Sequence, residues 1–174
     1  NQTDIEKSLI GVNAVVHLAG IVGDPACAVQ ADLAVEVNYN ATKKLAMMAK
    51  TKGIERFIFA STCSVYGAIP GKSLREDNEL NPVSLYGETK VEAEKAVDAL
   101  IDENFRPTTL RFGTLYGLSH RMRFDLVVNF LTQKLHLEKE GKIFGGTQWR
   151  PFVHVKDIGK GILTVLESPL SKVG

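Results

Sequence analysis

A tyrosine and a lysine stand four residues apart in this sequence, at Tyr86 and Lys90. Side chains at positions i and i+4 share one face of an α-helix, so the two are expected to point the same way. A phenol has a pKa of about 10, and a cation within about 4–6 Å lowers that pKa. A tyrosine with a lowered pKa can take up and return a proton near neutral pH. The pair therefore predicts proton transfer, with an ordinary surface Tyr–Lys pair as the alternative.

Small hydroxyl and thiol side chains stand upstream of that pair, in the stretch Ser61-Thr62-Cys63-Ser64. They follow a short apolar segment that is typical of a buried strand. Hydroxyl groups at the end of a strand can donate hydrogen bonds to a substrate oxygen. The alternative is a turn whose hydroxyls bond their own backbone.

The composition is that of an average globular protein. Of 174 residues, 44% are hydrophobic and 24% are charged, and 21 Lys+Arg against 20 Asp+Glu leave a formal charge of +1. Disorder would need lower hydrophobicity and higher net charge, and binding of nucleic acid through bulk charge would need a basic excess. No apolar run approaches the roughly 20 residues that span a bilayer. We therefore expect a folded protein that binds neither nucleic acid nor membrane.

The two cysteines, Cys27 and Cys63, are too few for a disulfide framework and lack the spacing of metal ligands. This cysteine use favours a reducing cytoplasm and no bound metal.

Strand-like and helix-like segments alternate along the whole chain. Strands are predicted at 12–18, 56–61, 107–112, 142–144 and 152–155, helices at about 29–52, 85–104, 123–136 and 157–167, and a loop at about 67–84. Gly53 is expected just past the end of the first of these helices. Strands separated by helices predict an α/β fold with a Rossmann-like, doubly wound parallel sheet. Ligands of such sheets bind beyond the carboxyl ends of the strands.

The first predicted strand ends in His17-Leu18-Ala19-Gly20. Small residues at a strand end let a ligand approach the backbone closely. A tight turn that simply requires small residues is the alternative.

Six segments form an ordered set along the chain. They are His17-Leu18-Ala19-Gly20, Asn38-Tyr39-Asn40-Ala41-Thr42, Phe57 to Gly67, Tyr86 to Lys90, Leu110 to Gly117, and Arg150 to Asp157. Together they resemble the signatures of the extended short-chain dehydrogenase/reductase family, in its NAD-dependent nucleotide-sugar epimerase/dehydratase branch. The proteins most similar in motif are those like UDP-glucose 4-epimerase.

The resemblance implies a role for each matching residue. Tyr86 would exchange a proton with a sugar hydroxyl, Lys90 would lower the Tyr86 pKa and hold the nicotinamide ribose, and Thr62 would bond the same sugar oxygen. The cofactor NAD would be contacted by Ala19, Gly20, Asn38, Ser61, Tyr86, Lys90 and Phe112. The substrate would be contacted by Thr62, Thr114 and Arg150, of which Arg150 suits its diphosphate. Arg121 and Arg123 either assist Arg150 or begin an exposed helix.

The two residues after Thr62 favour epimerisation. Dehydratases of this branch usually carry Asp-Glu there, whereas Cys63 and Ser64 are not plausible general acids at neutral pH. The implied function is NAD-dependent epimerisation of a nucleotide-activated sugar, such as UDP-glucose or UDP-galactose, through a transient keto-sugar. A sugar-nucleotide dehydratase or keto-reductase is the alternative within the family. A non-catalytic nucleotide-binding remnant is the alternative from another class.

The glycine-rich G-x-x-G-x-x-G turn of the family has no counterpart in the sequence. The family places that turn, which binds the cofactor pyrophosphate, before the strand that ends in H-L-A-A. We therefore expect residues 1–174 to be the central part of a Rossmann-like domain without its first strands, and segments at about 113–150 to belong to the substrate lobe. The strand at 12–18 would then lie at a sheet edge. NADP stays possible beside NAD, and the homodimer usual in the family, paired through the helix that bears Tyr86, is expected.

Overall fold

The computed structural model describes residues 2–69 and 71–173. Asn1, Gly174 and Pro70, which belongs to the loop predicted at about 67–84, lie outside the described residues. The chain divides into two compact units, one of residues 1–111 with 165–174 and one of residues 112–164.

The first unit is built on a three-stranded sheet in the order β1-β2-β3. The strands are β1 (Ala14–His17), β2 (Arg56–Thr62) and β3 (Arg106–Phe112). β1 and β2 run parallel, and the register places His17 opposite Phe59. The predicted α/β, Rossmann-like architecture is confirmed, and β1 lies at one end of the strand order, as expected for the strand at 12–18.

The helices of this unit lie between and before the strands. They are α1 (Gln2–Ser8), α2 (Asp24–Val29), α3 (Ala31–Val35), α4 (Ala41–Thr51) and α5 (Leu85–Asp98), with a π-helical turn at Glu36–Asn40 and 3₁₀ turns at Cys63–Tyr66 and Leu170–Lys172. The single helix predicted over about 29–52 is therefore wrong in detail. The observed helical structure begins earlier, at Asp24, and is interrupted at Gln30, whose φ of −128° and ψ of 58° are not helical. Gly53 follows α4 with a φ of +72°, as the prediction required.

α5 begins where the sequence predicts and ends earlier. Ser84 caps its first turn, since its Oγ accepts a hydrogen bond from Gly87 N at 3.3 Å. The predicted end near residue 104 is wrong, since α5 ends at Asp98 and Asp102 holds a turn in the segment that follows. Its Oδ1 accepts hydrogen bonds from Asn104 N at 2.8 Å and Phe105 N at 2.9 Å, which directs the chain into β3.

The main core lies where α4 and α5 pack against β2. Its buried members are Leu9, Ala46, Ala49, Ile54, Phe57, Phe59, Ala93, Val97 and Phe105. The rings of Phe57 and Phe105 have centroids 6.0 Å apart in a tilted arrangement. This packing fixes α5, and with it Tyr86 and Lys90, relative to the end of β2.

The second unit contains a two-stranded parallel sheet. Its elements are β4 (Thr114–Tyr116), α6 (Val127–Glu138), β5 (Phe152–His154) and α7 (Val155–Glu167), of which α7 ends in the first unit. The strand predicted at 142–144 is wrong, because those residues are exposed and pair with no described strand. Gly145 follows with a φ of +83° and turns the chain. An apolar triplet forms a strand only where a neighbour supplies hydrogen bonds.

The remaining predicted bounds are close to those observed. α6 begins four residues after the predicted start, because Leu126 is extended with a φ of −89° and a ψ of 133°. β4 was not predicted, and its three residues are too few to give a strand pattern of their own. None of the helices in residues 2–69 and 71–173 is both long and apolar enough to cross a membrane.

We expect Phe57→Ala to lower the free energy of unfolding by about 3–5 kcal/mol, because the fully buried ring would leave a cavity in the main core. Val83→Ala is the control, since the Val83 side chain is 76% exposed. Urea denaturation checks both variants. Equal unfolding free energies for the two would contradict this assignment of the core.

Candidate active site

One face of α5 carries three ionisable side chains into the protein interior. Tyr86, Lys90 and Glu94 follow one another at intervals of four residues, and their exposed fractions are 8%, 3% and 2%. Lysine and glutamate are almost never this buried without partners. Tyr86 packs in a cluster with Cys27 and Ala34, which come from α2 and α3.

Lys90 is held at the end of β2. Its Nζ donates a hydrogen bond to Ala60 O at 2.9 Å and lies 4.6 Å from the centroid of the Phe59 ring. Burial lowers the pKa of Lys90 to about 8, and the Glu94 carboxylate, followed by Cys27, opposes that shift. The ammonium therefore predominates at neutral pH.

The turn after β1 approaches Lys90 closely. A Cβ placed at Gly20 would lie 3.0 Å from Asn38 Oδ1 and 3.5 Å from Lys90 Nζ, so a side chain there would crowd both groups. Asn38 bonds the same turn twice: it accepts from Ile21 N at 2.8 Å and donates to Ile21 O at 2.9 Å. Asn38 is fully buried and lies in the π-helical turn, an irregularity common at functional sites.

Asn38 also links this turn to α5. Its Nδ2 lies 3.3 Å from Thr89 Oγ1, which donates a hydrogen bond to Tyr86 O at 2.9 Å. The backbone at Tyr86 is thereby tied to the turn after β1.

Thr62 stands at the end of β2 and caps the turn that follows. Its Oγ1 accepts a hydrogen bond from Ser64 N at 3.2 Å and lies 3.2 Å from Ser64 Oγ. The hydroxyl-rich stretch therefore does bond its own backbone, which was the alternative reading of the sequence. The preceding residue, Ser61, donates from its hydroxyl to the Glu94 carboxylate.

A buried ion pair that sequence reasoning missed lies beside this region. Arg111 grips Glu94 with two nitrogens, and its third, Nη1, donates to Tyr66 OH at 2.9 Å and to Glu76 O at 3.0 Å. Arg111 belongs to the Leu110–Gly117 motif, but the motif carried no role for it. The available signal was Glu94 itself, a carboxylate one turn past Lys90 on the predicted inner face of the helix.

His17 is a second buried polar residue at the end of β1. Its ring stacks on Phe59 with centroids 5.8 Å apart, and its Nε2 lies 2.9 Å from Thr42 Oγ1. Burial, and then the charge of Lys90, lower the pKa of His17 to about 4. His17 is therefore uncharged near neutral pH and packs as an aromatic ring.

The predicted site residues fall in both units. Ala19, Gly20, Asn38, Ser61, Thr62, Tyr86 and Lys90 belong to the first unit, whereas Phe112, Thr114 and Arg150 belong to the second. Ala19 is exposed beside Gly20. Thr114 is half-buried and its N–H donates to Pro151 O at 2.8 Å, while the Arg150 side chain is exposed. Arg121 is exposed, and Arg123 pairs with Asp125 across 2.5 Å. Both arginines lie in the loop before α6, so the alternative that they begin a helix is wrong.

The second unit holds a cavity of about 540 Å³, and its lining includes residues of two of the sequence motifs. Tyr116 and His154 line it from the two strands, Met122 and Phe124 from the loop, and Val128 from α6. Among residues 2–69 and 71–173, no three His, Cys, Asp or Glu side chains come together as a metal site would need.

A second Tyr–Lys pair has the same spacing, at Tyr39 and Lys43. There the lysine is exposed, and its Nζ lies 5.9 Å from the centroid of the tyrosine ring. The spacing therefore occurs twice in the chain, and only Tyr86 and Lys90 are both buried.

Comparison with known proteins identifies the family to which the chain belongs. The model of the NAD dependent epimerase/dehydratase family matches residues 1–174. The uncharacterized UDP-glucose epimerase YtcB of Bacillus subtilis (strain 168) is 36% identical over 174 residues, which cover 95% of this chain and 52% of YtcB. The UDP-glucuronate 4-epimerase of Thermodesulfobacterium geofontis (strain OPF15) is 30% identical over 164 residues, which cover 90% of this chain and 48% of that enzyme.

A solved structure agrees with these relatives. The UDP-glucuronic acid 4-epimerase from Bacillus cereus, in complex with UDP-glucuronic acid and NAD, matches with a TM-score of 0.85 and 31% identity. The match covers 98% of this chain and 55% of that protein. The chain thus spans about half the length of the relatives it matches. The resemblance stated from the motifs is confirmed.

The burial of Lys90 predicts a pH dependence of stability. Its folded pKa of about 8 lies below the ordinary 10.5, so the contribution of Lys90 is fully favourable above pH 10.5 and is lost as pH falls through 8. We expect the unfolding free energy of the wild type, relative to Lys90→Met, to rise with pH across this window. Urea denaturation at a series of pH values measures the difference, and a flat difference would contradict the buried ammonium.

Proposed function

The chain belongs to the NAD-dependent epimerase/dehydratase family, and on that premise we propose that the protein epimerises a nucleotide-activated sugar with NAD as cofactor. The observation that carries the proposal is the buried face of α5, where Tyr86 and Lys90 lie beside the turn at Gly20. Two relatives at 30% identity or more are named as epimerases, one of UDP-glucose and one of UDP-glucuronate. A UDP-hexose or UDP-hexuronate is therefore the substrate class that we propose.

The residues around Gly20 fit a dinucleotide. Gly20 has no side chain, which leaves its backbone open to close approach in front of Lys90. The ammonium of Lys90 has three N–H groups, and among the described residues one of them donates to Ala60 O. The other N–H groups of Lys90 could donate to the hydroxyls of a ribose. Bound NAD would supply the acceptor for a hydride from the sugar and would later return that hydride.

Tyr86 would carry the proton. In the first half-reaction its deprotonated oxygen takes the proton of a sugar hydroxyl while the hydride leaves the same carbon, and the C–O bond becomes a carbonyl. In the second half-reaction the hydride returns to the opposite face of that carbonyl, and Tyr86 gives its proton back to the oxygen. Lys90, one turn further along α5, stabilises the negative oxygen of Tyr86 with its positive charge.

The residues after Thr62 support epimerisation over dehydration. Loss of water needs an acid and a base beside the sugar, and the side chains at these positions are a thiol and a hydroxyl, Cys63 and Ser64. Ser64 takes part in the capped turn with Thr62. Glu94, a buried carboxylate of this region, is held by Arg111. Epimerisation oxidises and reduces one carbon, and it needs no proton transfer beyond that of Tyr86, so Cys63, Ser64 and Glu94 need not act as acids or bases.

We also propose that the protein acts in the cytoplasm as a homodimer. Cys27 and Cys63 form no disulfide, as expected in a reducing compartment. The family usually pairs through the helix that bears the catalytic tyrosine, which is α5 here. Light scattering of the complete natural polypeptide should give twice the chain mass, and a monomer mass would contradict the dimer.

The direct test incubates the complete natural polypeptide with UDP-glucose or UDP-glucuronate and a catalytic amount of NAD. We expect proton NMR to show the C4 epimer without net reduction of the cofactor. Loss of one water from the sugar in the mass spectrum would mean a dehydratase. Stoichiometric turnover of the cofactor would mean a keto-reductase, and no conversion of either substrate would favour a non-catalytic protein.

In the same assay Tyr86→Phe should lower kcat by about 100- to 10,000-fold, because the ring without its hydroxyl cannot transfer the proton. Tyr39→Phe is the matched control, since Tyr39 has a lysine at the same spacing but that lysine is exposed. Binding of NAD, measured by fluorescence titration, should be nearly the same in both variants. An unchanged kcat for Tyr86→Phe would remove Tyr86 from the mechanism.

A further inference from the structure

A buried ion pair lies one helical turn beyond Lys90. The Glu94 side chain is 3% exposed and that of Arg111 is 20% exposed. Arg111 Nη2 donates to Glu94 Oε2 at 2.8 Å, and Arg111 Nε lies 3.1 Å from the same oxygen and 3.2 Å from Oε1. A guanidinium that meets a carboxylate with two nitrogens forms one of the strongest hydrogen-bonded pairs in proteins.

The pair joins the segments that carry the proposed catalytic residues. Glu94 belongs to α5, and it accepts a hydrogen bond from the hydroxyl of Ser61 in β2. Arg111 belongs to β3, and its Nη1 donates to Tyr66 OH at 2.9 Å and to Glu76 O at 3.0 Å. The guanidinium also lies 5.0 Å from the centroid of the Tyr66 ring. One arginine thus ties α5 and β2 to the turn and the loop that follow β2.

Stability alone does not account for this pair. Hydrophobic side chains of similar volume are often as stable as a buried ion pair, because they avoid the cost of removing two charges from water. What sets this pair apart is its place: Ser61 directly precedes Thr62, and Glu94 lies four residues after Lys90.

We propose that Glu94 and Arg111 are positioning residues of the active site, which hold the end of β2 against α5 and keep the ammonium of Lys90 charged. The inference rests on the proposed function, since it assigns these residues a part in the same proton transfer.

The charges around Lys90 single out Glu94. The pKa of His17, from β1, is lowered to about 4, so this ring is neutral near pH 7. Burial raises the pKa of the Cys27 thiol, from α2, which keeps it protonated there. Tyr86, on α5 itself, is the group that Lys90 is proposed to serve. Glu94 is then the negative charge that offsets the burial of Lys90, and Arg111, whose pKa is raised above its usual value by Glu94, stays charged and keeps that carboxylate in place.

The test compares Glu94→Gln with Glu92→Gln in the complete natural polypeptide. Glu92 lies on the same helix in an exposed ion pair with Lys95, so its substitution removes one carboxylate without touching the buried pair. For Glu94→Gln we expect kcat to fall by about 10- to 100-fold with KM changed less than about two-fold. The alkaline limb of the kcat profile should move to lower pH by about one unit, since Lys90 loses its proton earlier.

The outcomes separate the two parts of the proposal. A fall in kcat with an unmoved alkaline limb supports the positioning role and overturns the effect on the Lys90 charge. If kcat, KM and the pH profile of Glu94→Gln all equal those of Glu92→Gln, both parts are overturned, whatever the loss of stability.

Arg111→Lys keeps the proposal testable if Glu94→Gln does not fold. A lysine retains the positive charge but cannot reach Glu94, Tyr66 and Glu76 together, because it lacks the fork of the guanidinium. We expect a fall in kcat of about 10-fold with the alkaline limb in place. Wild-type kcat in a folded Arg111→Lys protein would overturn the positioning role.

A readout without substrate distinguishes this inference from the proposed function. If the wild type epimerises neither sugar nucleotide, the proposed function fails, but the effect of Glu94 on Lys90 is still measurable in urea. The Lys90-dependent rise of unfolding free energy, which begins near pH 8 in the wild type, should begin at lower pH in Glu94→Gln and at the wild-type pH in Glu92→Gln. An unmoved onset in Glu94→Gln would overturn the effect on charge.

Discussion

The structure of the first unit depends on one constraint, which is that the ammonium of Lys90 must be accommodated inside the protein. A buried charge is costly unless it is hydrogen-bonded and paired. Ala60 O, the Phe59 ring and the nearby Glu94 carboxylate supply those partners. Glu94 lies on α5 itself, whereas Ala60 and Phe59 belong to β2, which must therefore lie close to α5. The needs of Lys90 and the packing of α5 on β2 are thus the same requirement.

The ionised side chains beyond Tyr86 alternate in the sign of their charge. Lys90 is positive, Glu94 is negative and Arg111 is positive, and the neighbouring His17 is uncharged because burial and Lys90 lower its pKa. In a medium of low dielectric constant such an arrangement holds its charges more firmly than water would. The same arrangement ties β2 and β3 to α5, so the electrostatics and the geometry of this region are coupled.

The strand predictions succeeded where an apolar run within one segment indicates the strand, and failed where the strand depends on a pairing partner. The apolar runs that form β1, β2 and β3 are bounded by turn residues, and helices lie between these strands along the chain. The triplet at 142–144 has similar residues but no partner strand in the described part of the chain, and β4 forms from three residues because β5 pairs with it. Strand pairing is a property of two segments, and one segment cannot reveal it.

The sequence by itself determined the family, the α/β fold and the order of the motifs, because glycine turns, apolar runs and the Tyr–Lys spacing are local features. Only the tertiary structure decided which of two identically spaced pairs is buried, Tyr86 with Lys90 and not Tyr39 with Lys43. It also decided that Arg111 meets Glu94. Burial and ion pairing depend on packing between segments far apart in the chain, and spacing within one helix does not contain that information.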